Sequence, residues 1–176
     1  MNYGNILFSP SGRIGPRAML IGGAIVAALL FVVKASALLS VGLASILGIV
    51  GLVLIYCWFA LFIKRSHDAG KSGWLAIIPV LLIVGVGIFV ENFVQQSVAP
   101  DLMAEMELAM QEAIEGGFGE VMAVGTEFGA EVATATALPV AAARFIWSMI
   151  VVYGFNALLK SDPGPNRYGP ATLPAA

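Results

Sequence analysis

The chemistry available to this chain is concentrated in one polar stretch, Lys64-Arg65-Ser66-His67-Asp68-Ala69-Gly70-Lys71-Ser72-Gly73-Trp74. It holds the only histidine and three of the nine basic residues, set between two long apolar runs. His67 beside Asp68 has the components of an acid–base pair. Neighbours in sequence need not face each other, however, and no cysteine partner or serine in a nucleophile-elbow pattern accompanies them. Ala69-Gly70-Lys71-Ser72 matches the end of a phosphate-loop pattern. The glycine which that pattern needs is replaced by Arg65, and an apolar run stands where its strand should be. A metal site would need more ligands than one histidine and one aspartate. The residues therefore predict no catalytic group, no metal and no cofactor. They predict a structural junction in which His67 and Asp68 satisfy loop amides and arginines. The sharper alternative is an anion site, where a leftover arginine takes a lipid phosphate.

The elements that must position this stretch are membrane spans. Apolar residues make up 59% of the 176 positions and charged residues 11%, against about 25% charge in a soluble domain. Residues 18–63 carry one charge, Lys34. A single helix of that length would be roughly 69 Å long, about twice a bilayer, so the run must fold back. Lys34-Ala35-Ser36 is the expected turn, with spans near 18–34 and 41–63. A third run, 74–90, is short for a span and contains Pro79, a candidate kink. A fourth occupies 139–159. Lys34 and Arg144 are expected to snorkel outward. Tyr56, Trp58 and Phe59 read as an aromatic belt, and Ile6, Leu7 and Phe8 as interfacial residues. Cys57 reads as a small hydrophobe, and the first apolar run does not read as a cleaved signal peptide.

Residues 91–138 differ. They hold nine acids and no base: Glu91, Asp101, Glu105, Glu107, Glu112, Glu115, Glu120, Glu127 and Glu131. Met103, Met106, Met110 and Ile114 recur at helical spacing. So do Phe118, Val121, Met122, Gly125, Phe128 and Val132 after the Gly116-Gly117 break, which predicts two amphipathic helices. The fold class is all-α: one multi-spanning helical membrane bundle, 1–176, with four transmembrane helices. An acidic amphipathic helical insertion, 91–138, lies between the third and fourth.

With four spans, the amino terminus, the 64–73 stretch and the tail share one side. That side carries seven of the nine bases: Arg13, Arg17, Lys64, Arg65, Lys71, Lys160 and Arg167. The positive-inside rule makes it cytoplasmic and makes 91–138 extracytoplasmic. Arg13, His67, Asp68, Asn166 and Arg167 all lie near membrane exits on that side, so they are expected to converge. Asp68 should pair with an arginine, and Trp74 should seat the third span at the headgroups.

Three motifs on that side now line up: Gly12-Arg13 with Arg17, Arg65-Ser66-His67-Asp68 with Gly70-Lys71-Ser72-Gly73-Trp74, and Gly164-Pro165-Asn166-Arg167-Tyr168-Gly169-Pro170. In order and placement they resemble the bacterial inner-membrane YhaH-like family, domain of unknown function 805. The family pattern usually has leucine where this chain has Ser66. It also lacks an acidic insertion, so the resemblance covers 1–90 and 139–172. It implies a multi-pass protein of the bacterial inner membrane and no activity.

The expected function is a non-enzymatic structural, lipid-binding or partner-binding protein of the cell envelope. Its candidate anion or lipid-headgroup site is Arg13, Arg65, His67, Asp68, Lys71, Trp74, Asn166 and Arg167. Anionic membrane lipids are the expected partners, with a second copy or an envelope protein meeting 91–138. Nucleic acid is not expected with so few bases and an acidic total. The alternative is a small oligomeric transporter or channel-like protein, disfavoured because the apolar runs hold almost no ionisable residue.

Overall fold

The computed structural model describes residues 3–172. A short helix, α1 (Tyr3–Phe8), precedes α2 (Pro16–Ala35), which a 3-10 turn, Ser36–Leu38, connects to α3 (Val41–Asp68). After the 3-10 turn Gly73–Ala76 come α4 (Ile77–Leu81), a π-turn (Leu82–Val86) and α5 (Gly87–Val98) as one continuous rod. Then follow α6 (Pro100–Gly116), α7 (Phe118–Ala135) and α8 (Ala137–Leu158). Four stretches among the described residues are long and apolar enough to cross a membrane: Pro16–Leu38, Val41–Asp68, Gly73–Val98 and Ala137–Leu158.

The expected count of spans is what the molecule has, but two boundaries differ. The helix α3 has 28 residues, so it is roughly 42 Å long and overshoots a ~30 Å hydrocarbon core. Lys64 to Asp68 are therefore its last turns, not a loop. The third span runs on to Val98 rather than ending near residue 90, which puts Glu91 inside a spanning helix. Pro79 lies in the first turn of α4, directly after the 3-10 turn, and the rod continues past it. The irregularity comes afterwards, as the π-turn, and the indole N–H of Trp147 donates to the Leu82 carbonyl there at 2.9 Å.

The core is built where α2 packs on both α3 and α8. Met19, Val26, Cys57, Trp58, Leu61, Phe62 and Val152 are fully shut from solvent. Phe62 sits between Trp58, stacked at 5.7 Å, and Phe155, edge-on at 5.0 Å. Trp58 is thus a core residue, not part of a belt. Tyr56 is exposed, and its hydroxyl donates to the Phe8 carbonyl at 3.0 Å. Ile6 and Leu7 also join the core, so α1 is a packed element; Phe8 alone of the three remains exposed. Beyond α5, the helices α6 and α7 pair with each other, joined at Gly117, whose φ of 92° is the left-handed region glycine favours. All the acids of α6 and α7 are exposed.

Candidate functional site: a closed polar junction

One end of the bundle gathers residues from α1, α3, the α1–α2 connection and the tail. Asp68, the last residue of α3, has a carboxylate with no solvent exposure. Its Oδ1 accepts from Arg13 Nε at 3.2 Å and from Thr172 Oγ1 at 2.7 Å. Its Oδ2 accepts from Arg65 Nη1 at 3.0 Å and from Ser161 Oγ at 2.5 Å. Four donors fill the acceptor capacity of one carboxylate.

The two arginines are equally occupied. Arg13 also gives Nη1 to the carbonyls of Gly164 (2.8 Å) and Gly169 (3.4 Å). Its Nη2 goes to the carbonyls of Asp162 (2.7 Å) and Asp68 (3.3 Å). Arg65 gives Nε to Asn156 Oδ1 at 2.6 Å, and its Nη1 reaches Ser161 Oγ at 3.4 Å. Its Nη2 donates to the carbonyls of Asn156 and Leu159 at the end of α8. Each guanidinium has five N–H groups, and each therefore has every one of them bonded. A bare guanidinium in this buried position would be costly; fully bonded, it ties four chain segments together.

Around this centre lies a second layer. The Asp162 amide donates to the Asp68 carbonyl at 2.8 Å. Asn166 Nδ2 donates to the His67 carbonyl at 3.1 Å and to Asp162 Oδ2 at 3.2 Å. His67 Nδ1 lies 3.2 Å from the Gly12 carbonyl, a contact that requires the proton on Nδ1. The His67 ring stacks on Tyr168 with centroids 3.7 Å apart, and the Arg167 guanidinium lies 4.7 Å from that same ring. Gly70, at φ 68°, turns the chain immediately after Asp68.

Of the residues singled out from sequence, Arg13, Arg65, His67, Asp68, Asn166 and Arg167 are brought together. Lys71 and Trp74 stand at the rim with exposed side chains. Sequence reasoning missed Asn156, Ser161 and Thr172. Lys64, counted from sequence among the bases of this end, is instead fully buried, and its ammonium caps the end of α1 through the Asn5 and Ile6 carbonyls. Asn156 had left a signal: it is the only side-chain amide in the 139–159 run, and a buried amide must find partners. Ser161 and Thr172 left none, because short hydroxyl side chains are common in any loop and nothing in their spacing points to the Asp68 carboxylate they reach.

Four spanning helices and a polar junction closed at one end define a multi-pass helical membrane protein, all-α throughout its described residues. Residues 7–170 match the family described as protein of unknown function DUF805, and the chain belongs to that family. The matched range takes in the acidic segment as well as the two flanks from which the resemblance was read. No curated protein and no solved structure matches the chain.

Proposed function

We propose that the protein is a non-enzymatic component of the cell envelope, a locked helical platform that meets anionic lipid on one face and a partner on the other. The observation that carries this is the saturation of the junction. With every N–H of Arg13 and Arg65 bonded, and Asp68 filled, none of these three groups is left to take a substrate. An anion at a leftover arginine therefore finds no place at Arg13 or Arg65. The exposed bases Arg17, Lys71, Lys160 and Arg167 and the exposed Trp74 ring that end instead. Juxtamembrane bases of this kind are worth about 1 kcal/mol each against an anionic leaflet. Seven of nine bases on this end support a cytoplasmic placement for it.

On that reading the α6–α7 hairpin is extracytoplasmic and amphipathic, its acids in water. Met103, Met106, Met110 and Ile114 line an open groove of about 730 Å3 beside it. Flexible thioethers suit contact with an envelope protein or a second copy.

Native mass spectrometry of the detergent-extracted chain tests the lipid face. Replacing Arg17, Lys71 and Lys160 together with glutamine should lower retained anionic lipid at least tenfold and leave the melting temperature in place. Unchanged retention would overturn the reading. A second reading, a small oligomeric transporter, is favoured by one observation: Glu91 and Arg144 lie within spanning helices, where charge is costly and commonly functional. Cysteine scanning of the spans with a membrane-impermeant thiol reagent separates the two, since only a transporter needs reactive midspan positions.

A further inference from the structure

The opposite end of the bundle carries a second charged group, and unlike the junction it is not closed. Glu91, one turn after Gly87 in α5, accepts from Lys34 Nζ at 2.5 Å. Arg144 on α8 is half-buried rather than extended fully into water. Its guanidinium lies against Gly87 so closely that a Cβ there would be 1.7 Å from Nη1. That Nη1 is shut from solvent and has no hydrogen-bond partner among the described residues. Glu91 is paired with Lys34 and makes no hydrogen bond or ion pair with Arg144. The three groups thus sum to one excess positive charge at the edge of the hydrocarbon, and a buried donor is left without an acceptor. Both conditions are unfavourable unless an anion completes them.

Room for one is present. A cavity of about 430 Å3 opens beside Lys34, Glu91 and Gln95, under α7, with Gly129 and Ala133 among its small-residue walls. Lys34 and Glu91 line this cavity, whereas Arg144 lies outside it against Gly87, at the end of the π-turn, an irregularity that recurs at functional sites.

We propose that this cavity binds a compact oxyanion, a phosphate or carboxylate group, on Lys34, and that Glu91 passes from Lys34 to Arg144 as the anion arrives. The exchange leaves both cations paired and the excess charge neutralised. It also explains why the walls are small: bulkier residues would fill the space the anion needs. A cation is the wrong ligand here, since it would meet the Lys34 ammonium and a carboxylate already engaged by it. The inference concerns the end of the bundle remote from the lipid-facing rim, so it stands or falls independently of the proposed function.

The full-length protein, purified in neutral detergent and stripped of lipid, is titrated calorimetrically with inorganic phosphate and separately with short-chain phosphatidylglycerol. Saturable binding that weakens with salt is expected. Lys34→Gln and Arg144→Gln should each weaken it at least tenfold, and Ala133→Leu should block it with no change of charge. Phosphate binding identifies a soluble anion; binding of the lipid alone assigns the same chemistry to a headgroup. Thermal melting of the wild-type chain provides a measurement independent of the variants, with a saturable rise expected from the bound ligand over sodium chloride of matched ionic strength. No saturable binding of either ligand overturns the proposal. So does binding that Lys34→Gln and Ala133→Leu both leave intact.

Discussion

Asp68 shows how a single carboxylate can fix a membrane junction. It is shut from water and neutralised by two guanidiniums, each with the rest of its N–H groups committed to backbone or side-chain oxygens of the tail and α8. Asp68→Asn keeps the shape but removes the charge, leaving two buried cations with no counter-ion. Breaking a buried pair in this way costs on the order of 3 kcal/mol. Thermal unfolding in mild detergent should therefore shift clearly downward. Lys71→Gln, on an exposed side chain three residues along, should stay within about 0.5 kcal/mol of the parent. Equal stability of the two variants would refute the closed junction. Much of this centre was legible in the sequence, because scarce polar residues clustered at membrane exits have few places to go. Arg13, His67, Asp68 and Asn166 were found that way. The acceptors of Arg65 Nη2 were not, because the backbone carbonyls of Asn156 and Leu159 carry no residue-type signal.

Among the elements, α2 owes its central place to two small residues. A Cβ at Gly22 would lie 2.7 Å from Leu61 Cδ2 in α3, and one at Gly23 would lie 2.9 Å from Val152 Cγ1 in α8. Consecutive glycines therefore bring one helix against two neighbours, the close approach that drives packing in lipid. Gly48, in α3, has nothing within 4 Å of the same position. Gly23→Leu should cost about 1–3 kcal/mol through overpacking, and Gly48→Leu should be close to neutral. Denaturant titration in detergent micelles measures both, and a neutral Gly23→Leu would sink the packing account. Sequence alone put all the span glycines in one class; only the partner helices distinguish them. The same blindness to partners hid the length of the third span. Glu91 looked like the start of an acidic segment, because a lone glutamate in a span is unfavourable. Lys34, arriving from α2, removes that penalty, and the helix continues to Val98.

At the scale of the whole molecule, the two ends of the bundle differ in kind. One is basic and sealed, and it holds both ends of the described chain, through Asn5 on Lys64 and Thr172 on Asp68. The other bears the charged cavity and the α6–α7 hairpin with its exposed acids. An even number of spans follows from that arrangement, and the uneven distribution of bases supplies the direction. Seven bases stand with the sealed end and two, Lys34 and Arg144, with the other; translocating the former would be strongly disfavoured. Fusing a periplasm-active reporter and a cytoplasm-active reporter at Glu112 and at Ala176 tests this directly. The Glu112 fusions should be active only for the periplasmic reporter and the Ala176 fusions only for the cytoplasmic one. Reversed signals at both sites would keep the fold and invert its orientation, placing the basic rim outside and removing its anionic leaflet. Signals on the same side at both sites would mean that α8 does not cross the membrane, and would contradict the four-span bundle itself.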